Sequence, residues 1–261
     1  MKPVLALLVL AAALPAAERQ FTYSHESNVL APKEKELEII ATQKQGREYY
    51  YRASEQRLEL EVGVAPGLQA AFYLNFSAEQ TDKDGDGTVE KKDTIKGWAG
   101  ELKYQLTDAA ADAIGSALYG EVYVGAHELK GEAKVILDKR VGNWLVATNF
   151  VAEAAQAQEP GANLEWEGKI TGGASYRIGG GVSAGIEGVF TKEWVNEDDD
   201  GYELEKAVLQ IGPVVHYANE ALWATFTLLP QVRSFAEQTS GSLDLDHSQR
   251  IEGRLIVGTH F

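Results

Sequence analysis

The chain contains no cysteine, so neither disulfide nor thiol chemistry is open to it, although an oxidising compartment would be tolerated. Bases are scarce. Lys and Arg number 24 against 39 Asp and Glu, a net charge of −15, which excludes the basic footprint that nucleic-acid binding needs. Beyond the first residues no stretch approaches the roughly eighteen apolar residues of a transmembrane helix. Catalytic signatures are missing as well: no Gly-x-Ser-x-Gly elbow occurs, and His25, His127, His216, His247 and His260 form no pair with zinc-ligand spacing. Asp246-His247-Ser248 has the residue types of a triad, but neighbours on an extended strand point to opposite faces and cannot form a relay. These absences argue against an enzyme.

The one apolar run that is present, Leu5 to Leu14, follows Lys2, the only charge before Glu18, and leads to the small residues Ala16 and Ala17. That order is the signature of a secretory signal peptide, too short to span a bilayer, and it predicts export with cleavage near Ala16 or Ala17. The alternative is a buried N-terminal helix. Removing residues 1–17 leaves 244 residues with net charge −16. Residues 18–34 are polar and irregular, with Pro32 near their end, and read as a periplasmic or lumenal lead-in. An exported chain without a helical span is soluble, surface-attached or a β-barrel, whose half-apolar strands escape hydropathy scans.

The last twelve residues favour the barrel. Ile251, Gly253, Leu255, Val257, Thr259 and Phe261 fall on one face of an extended strand, and Glu252, Arg254, Ile256, Gly258 and His260 on the other. A closing strand of this kind, ending on Phe, resembles the C-terminal assembly signal of bacterial outer-membrane barrels and implies the barrel-assembly machinery as a partner. Similar alternation recurs in Arg57–Val64, Leu164–Ile178 and Val182–Phe190. Twelve segments follow: 35–45, 49–63, 68–80, 95–106, 116–128, 131–141, 144–157, 163–178, 182–196, 206–218, 222–235 and 247–261. The connections after even-numbered segments are Ala65-Pro66-Gly67, Thr107–Gly115, Gly142-Asn143, Gly179–Gly181 and Asn219–Ala221, tight turns in all but the second. Three connections after odd-numbered segments are long and acidic: Thr81–Thr94, Glu197–Glu205 and Ala236–Asp246. A soluble sandwich alternates equally well but has no reason to sort its loops by parity. The expectation is an all-β fold: a closed antiparallel transmembrane barrel of about 12 strands over residues 35–261, in the outer membrane of a Gram-negative cell. Its partners would be outer-membrane lipid and lipopolysaccharide. Trp98, Tyr104, Trp144, Trp166, Tyr176, Trp194, Tyr217 and Phe261, mostly near strand ends, are candidates for interfacial girdles.

Phe21-Thr22-Tyr23, then Val29-Leu30-Ala31-Pro32-Lys33-Glu34 leading into Leu37-Glu38, resemble the start of a family of uncharacterised bacterial outer-membrane barrels. Leu68–Phe76 and Gly212–Tyr217 are similar to later landmarks in it. That family is akin to a group of transporters associated with the meta-pathway of phenol degradation. The resemblance spans most of the mature chain through loose structural motifs. It implies a barrel with a transport role and supplies no catalytic or binding residue.

Alternation assigns to the lumen Arg57, Glu59, Glu61, Glu101, Lys103, Glu121, Lys134, Asp138, Glu153, Glu165, Glu167, Lys169, Arg177, Glu187, Arg233, Glu252 and Arg254. Such groups cannot face lipid, where a midplane Arg or Lys costs about 2–4 kcal/mol. Acids outnumber bases among them, so an open lumen would favour cations and would serve as a passive channel for small solutes. The alternative is a plugged, non-conducting structural or surface-interaction barrel displaying acidic loops. One loop carries a sharper pattern. Asp82, Asp84, Asp86, Thr88, Glu90 and Asp93 occupy the ligand positions of an EF-hand calcium loop, with Gly87 at the sharp turn. Position 12 is Asp in place of Glu, and strands flank the loop in place of helices. The expectation is weak calcium binding; a merely solvated acidic loop is the alternative.

Overall fold

A computed structural model describes residues 18–159, 161–196, 201–236 and 241–261. The predicted signal peptide, residues 1–17, and parts of the two later acidic loops lie outside the described residues. Twelve antiparallel strands run β1 Lys35–Gln45, β2 Tyr50–Ala65, β3 Leu68–Asp82, β4 Glu90–Thr107, β5 Gly115–Gly125 and β6 Glu128–Val141. They continue as β7 Trp144–Ala157, β8 Leu164–Gly179, β9 Val182–Val195, β10 Glu203–Ala218, β11 Trp223–Ser234 and β12 Ile251–His260. Each pairs with its neighbour in sequence, and β1 closes on β12 with Ile39 opposite Val257. Closure removes every sheet edge, the condition for backbone polar groups to survive in hydrocarbon.

Period-two alternation decides which face meets lipid. On β2, Leu58, Leu60 and Val64 are exposed on the outside while Glu59 and Glu61 are buried inside. On β7, Trp144, Val146 and Phe150 point out, and Leu145, Ala147 and Asn149 point in. Trp144 stacks edge-on against Tyr176 at 5.0 Å on the outer surface near the end with short turns.

The strands run past the segments expected from the sequence. β4 starts at Glu90, five residues earlier than expected, so the β3–β4 connection shrinks from Thr81–Thr94 to residues 83–89. Glu90, Lys91, Lys92 and Asp93 pair with Thr81, Gln80, Glu79 and Ala78 although none of the four is apolar. The reason is that a hairpin projecting beyond the bilayer is wet on both faces, so apolar alternation stops before the hydrogen-bond ladder does. Conversely β12 begins at Ile251, because residues 241–250 fold back toward the barrel mouth. There Gln231 accepts from Asp244 N (2.7 Å) and donates to its carbonyl (2.8 Å). Asp246, His247 and Ser248 therefore lie in a loop and not on a strand, and His247 faces Asp244 (3.3 Å) and Glu205 (4.0 Å).

Candidate functional site

The lumen is not an empty tube. Residues 18–30 run inside it, and Phe21, Thr22, Ser24, Glu26, Ser27 and Leu30 are all buried. A twelve-stranded barrel is wider than the eight-stranded kind that side chains alone fill, so the remaining space takes water or chain. Here it takes chain at the inner half.

Glu187 on β9 is the anchor of that segment. Its Oε1 accepts from the backbone N–H of Tyr23 and Ser24, both at 2.8 Å. Its Oε2 accepts from Thr22 N (3.0 Å), Thr22 Oγ1 (3.1 Å) and Thr227 Oγ1 of β11 (2.7 Å). A buried carboxylate accepting several donors forms charge-assisted bonds, roughly twice as strong as neutral ones. Asn149 accepts from His25 N (2.6 Å) and donates to its carbonyl (2.9 Å), and Gln69 accepts from Leu30 N (2.9 Å). Phe21 packs in a small core with Leu145, Ala147 and Val214. Gly173 makes this possible, because a Cβ there would lie 2.3 Å from the Phe21 ring. Where the chain leaves the lumen, Lys33 N donates to Gly63 O (2.8 Å), and Gly63 N donates to Glu34 O (3.0 Å).

The segment brings its own ionisable groups. Burial, then the nearby charges of Lys134, Arg19, Lys103 and Arg57, hold His25 well below its ordinary value of 6.5, so the ring is neutral. Burial raises the Glu26 carboxyl, against the opposing pull of Arg140 and a hydrogen bond from Gln20 N (2.9 Å). Burial alone would lower the Arg19 guanidinium, but Glu38, Glu59, Glu61 and Glu26 outweigh it. Arg19 sits 3.7 Å from Glu38.

Beyond the segment, a cavity of about 490 Å³ is lined by Thr22, Tyr23 and His25 of the segment and by Ser248 and Gln249 of the β11–β12 connection. Its wall carries a belt of alternating charge. Lys130 bridges Glu128 (3.2 Å) and Glu153 (3.6 Å); Lys169 joins Glu153 (4.0 Å) to Glu167; Lys206 joins Glu167 (3.8 Å) to Glu193 (2.6 Å). Lys134–Glu132 and Lys44–Glu55, both at 2.9 Å, extend it. Arg254 lies 3.9 Å over the Tyr23 ring, and the Tyr23 hydroxyl donates to Glu252. Arg57 stacks on Tyr73 at 3.6 Å, while the Tyr119 hydroxyl lies between the carboxyl groups of Glu101 (2.5 Å) and Glu121 (2.6 Å), its one hydrogen shared between them.

The inward rows hold Arg57, Glu59, Glu61, Glu101, Lys103, Glu121, Lys134, Asp138, Glu153, Glu167, Lys169, Glu187, Glu252 and Arg254. Glu165 and Arg177 continue the inward row of β8, exposed at its two ends. Arg233 does not belong there. Gln210 pairs with Gln231 and Leu209 with Arg233, so a bulge at Val232 reverses the parity, and Arg233 is exposed with its guanidinium 5.3 Å from the Phe235 ring. Inward Glu36, Glu38, Lys44, Glu55, Lys130, Glu132, Glu193 and Lys206 were missed by the sequence assignment. In β1 the signal was present, since Glu36 and Glu38 alternate with Leu37 and Ile39.

At the β3–β4 tip the acidic side chains serve the turn. Asp82 accepts from Gly85 N (2.8 Å) and Gly87 N (3.1 Å), and Asp86 accepts from Thr88 N (2.7 Å). Glu90 and Asp93 belong to the β4 ladder, Asp93 standing three residues farther from the tip than Glu90. All the acidic groups of this loop are exposed except Asp82, which is partly so.

A closed twelve-stranded antiparallel barrel with lipid-facing apolar rows is the architecture of bacterial outer-membrane proteins. The chain belongs to the family described as a family of unknown function, DUF6662, whose model matches residues 13–261. No curated protein matches it. Among solved structures it is similar to the COG4313 outer membrane channel from Pseudomonas putida F1, at 11% identity over 89% of this chain and 97% of that one, with TM-score 0.62. The NanC porin is similar at 11% identity, 85% and 98% coverage and TM-score 0.55. So is the β domain of the Bordetella autotransporter BrkA, at 13% identity, 88% and 100% coverage and TM-score 0.52. At such identities the likeness is one of fold.

Proposed function

We propose that the protein is an outer-membrane channel for small polar solutes, with no enzymatic activity, whose lumen is closed in this state by its own N-terminal segment. The carrying observation is the division of the lumen. Residues 18–30 fill one half through side-chain bonds to their backbone, while the other half keeps a cavity walled by the lysine–glutamate belt. A segment that enters from one strand end, without a covalent tie at its other end in the mature chain, is free to leave as a unit. The likeness of the fold to a channel and a porin supports transport, as does the resemblance to the phenol-degradation group of transporters. Export by residues 1–17 and insertion through the closing strand complete the proposal. The excess of acids over bases along the wall predicts preference for cations.

The test compares planar-bilayer conductance of the mature chain with that of a form lacking residues 18–30. The expected result is low or intermittent conductance for the first and steady, cation-selective conductance for the second. If the shortened barrel folds, as heat-modifiable gel migration reports, yet passes no ions, the channel is excluded. The protein is then a structural barrel that displays its loops.

A further inference from the structure

The inner half of the wall concentrates negative charge in a way the belt does not. Glu36 of β1 lies opposite Glu61 of β2, and Glu38 lies opposite Glu59. Glu61 and Glu101 of β4 flank the small Ala71 of β3, which lets the two carboxylates approach. Oxygens of Glu36, Glu38 and Glu61 all lie within 4.8 Å of one another, as do those of Glu59, Glu61 and Glu101, and all five residues are buried. Like charges directly opposite on neighbouring strands repel, and a buried carboxylate without a partner is strongly disfavoured. Hydrogen bonding does not resolve the conflict. Glu38 is fully buried and neither of its oxygens accepts a hydrogen bond, nor does Oε2 of Glu59, while Oε2 of Glu36 has only the His260 ring beside it. The nearest cations stand off: Arg19 is 3.7 Å from Glu38, and Arg57 is 3.7 Å from Glu59. Lys103, buried beside Glu101 on β4, is the third. His260 of β12 brings its Nδ1 to 3.2 Å from Glu36, so five buried carboxyl groups face Arg19, Arg57, Lys103 and one imidazole.

We propose that Glu36, Glu38 and Glu61, backed by Glu59 and Glu101, bind one divalent cation at the seam between the barrel wall and the N-terminal segment. An all-carboxylate donor set selects a hard, oxygen-seeking ion of the calcium, magnesium or manganese kind over zinc or copper. The ion would offset the crowding of carboxyl oxygens, use the unserved ones and tie β1 and β2 together where Arg19 docks. The site is separate from the exposed β3–β4 loop and requires no conduction by the barrel.

The test uses the full mature chain, refolded in detergent and stripped with chelator. Calcium titration calorimetry is expected to show one stoichiometric site, and terbium is expected to bind there with emission sensitised by Trp223, whose indole donates to Glu36. Glu38→Gln combined with Glu61→Gln is expected to abolish that site, whereas Asp82→Ala combined with Asp86→Ala is expected to keep it. Trp223→Phe is expected to retain the stoichiometry while losing sensitised emission, which keeps the proposal testable if the double Gln variant fails to fold. Absence of stoichiometric binding overturns it, as does binding unchanged by the double Gln variant, binding lost with the loop variant, or emission indifferent to Trp223→Phe.

Discussion

Replacing Glu187 by Ala removes the acceptor that holds the N-terminal segment most firmly. Three backbone N–H groups, those of Thr22, Tyr23 and Ser24, lose their partner, and so do the hydroxyls of Thr22 and Thr227. A hydrogen bond to a charged group contributes about 1.5–3 kcal/mol net. Counting only the three backbone bonds at the low end, the docked state loses on the order of 4 kcal/mol, roughly a thousandfold in the docked-to-released ratio. The strands are untouched, because Glu187 contributes only its side chain to the lumen, so the barrel should remain heat-modifiable. The assay is single-channel recording, with open probability rising steeply in Glu187→Ala and less in Glu187→Gln, which keeps one acceptor oxygen. Protease access to residues 18–30 should rise in parallel. A folded Glu187→Ala barrel with the wild-type open probability would refute the reasoning, since the segment would then be held by something other than this carboxylate.

Gly173→Val places branched carbon where the Phe21 ring packs, so Phe21 must leave its pocket. Losing that burial costs about 1.5–3 kcal/mol, and open probability is expected to rise about ten- to a hundredfold. His25 is held well below 6.5 in the docked segment, so docking favours its neutral form, and that contribution is present above 6.5 and lost as pH falls below it. Glu26 has the opposite sign, its raised value favouring docking at low pH, so the His25 effect is cleanest in a Glu26→Gln background, where conductance should rise as pH drops from 7 to 5. Exchanging Lys130, Lys169 and Lys206 for Gln strips the belt of three positive charges, and the reversal potential in a salt gradient should shift toward stronger cation selectivity. The calcium proposal for the β3–β4 loop predicts protection from proteolysis at millimolar calcium that Asp82→Ala with Asp86→Ala removes; no protection in the unaltered protein would leave Asp82 and Asp86 as turn-forming residues only.

The barrel was legible in the sequence because its two solvents enforce period two. Leu58, Leu60 and Val64 against Glu59 and Glu61 mark a strand with one apolar and one polar face, and the sorting of long and short loops by parity then separates a barrel from a sandwich. Strand number and loop parity followed from the same alternation. The lead-in residues 18–34 carry no such period, since a chain inside a lumen touches wall on all sides and no regular spacing of polar and apolar residues results. Only indirect marks betray it, such as Gly173 on an inward row where a side chain would be expected. Arg233 was misassigned because a bulge changes parity without leaving a compositional trace. The partners of charged wall residues were also invisible. Lys169 and Glu167 meet within one strand, but Lys206 reaches Glu167 from two strands away, and only the closed register sets that distance.

The two halves of the lumen solve the same problem differently. In the belt Lys130, Lys169 and Lys206 each stand between Glu residues of their own wall, so those charges are satisfied whether or not anything fills the cavity. On the inner half Glu187 is satisfied by donors on the N-terminal segment, and Glu38 has Arg19 of that segment as its nearest cation. Releasing the segment would therefore leave an acidic wall to be served by water and ions, which is the state a cation pathway needs. The same groups that hold the segment in place would become the lining of the opened channel, so its removal should alter selectivity as well as conductance.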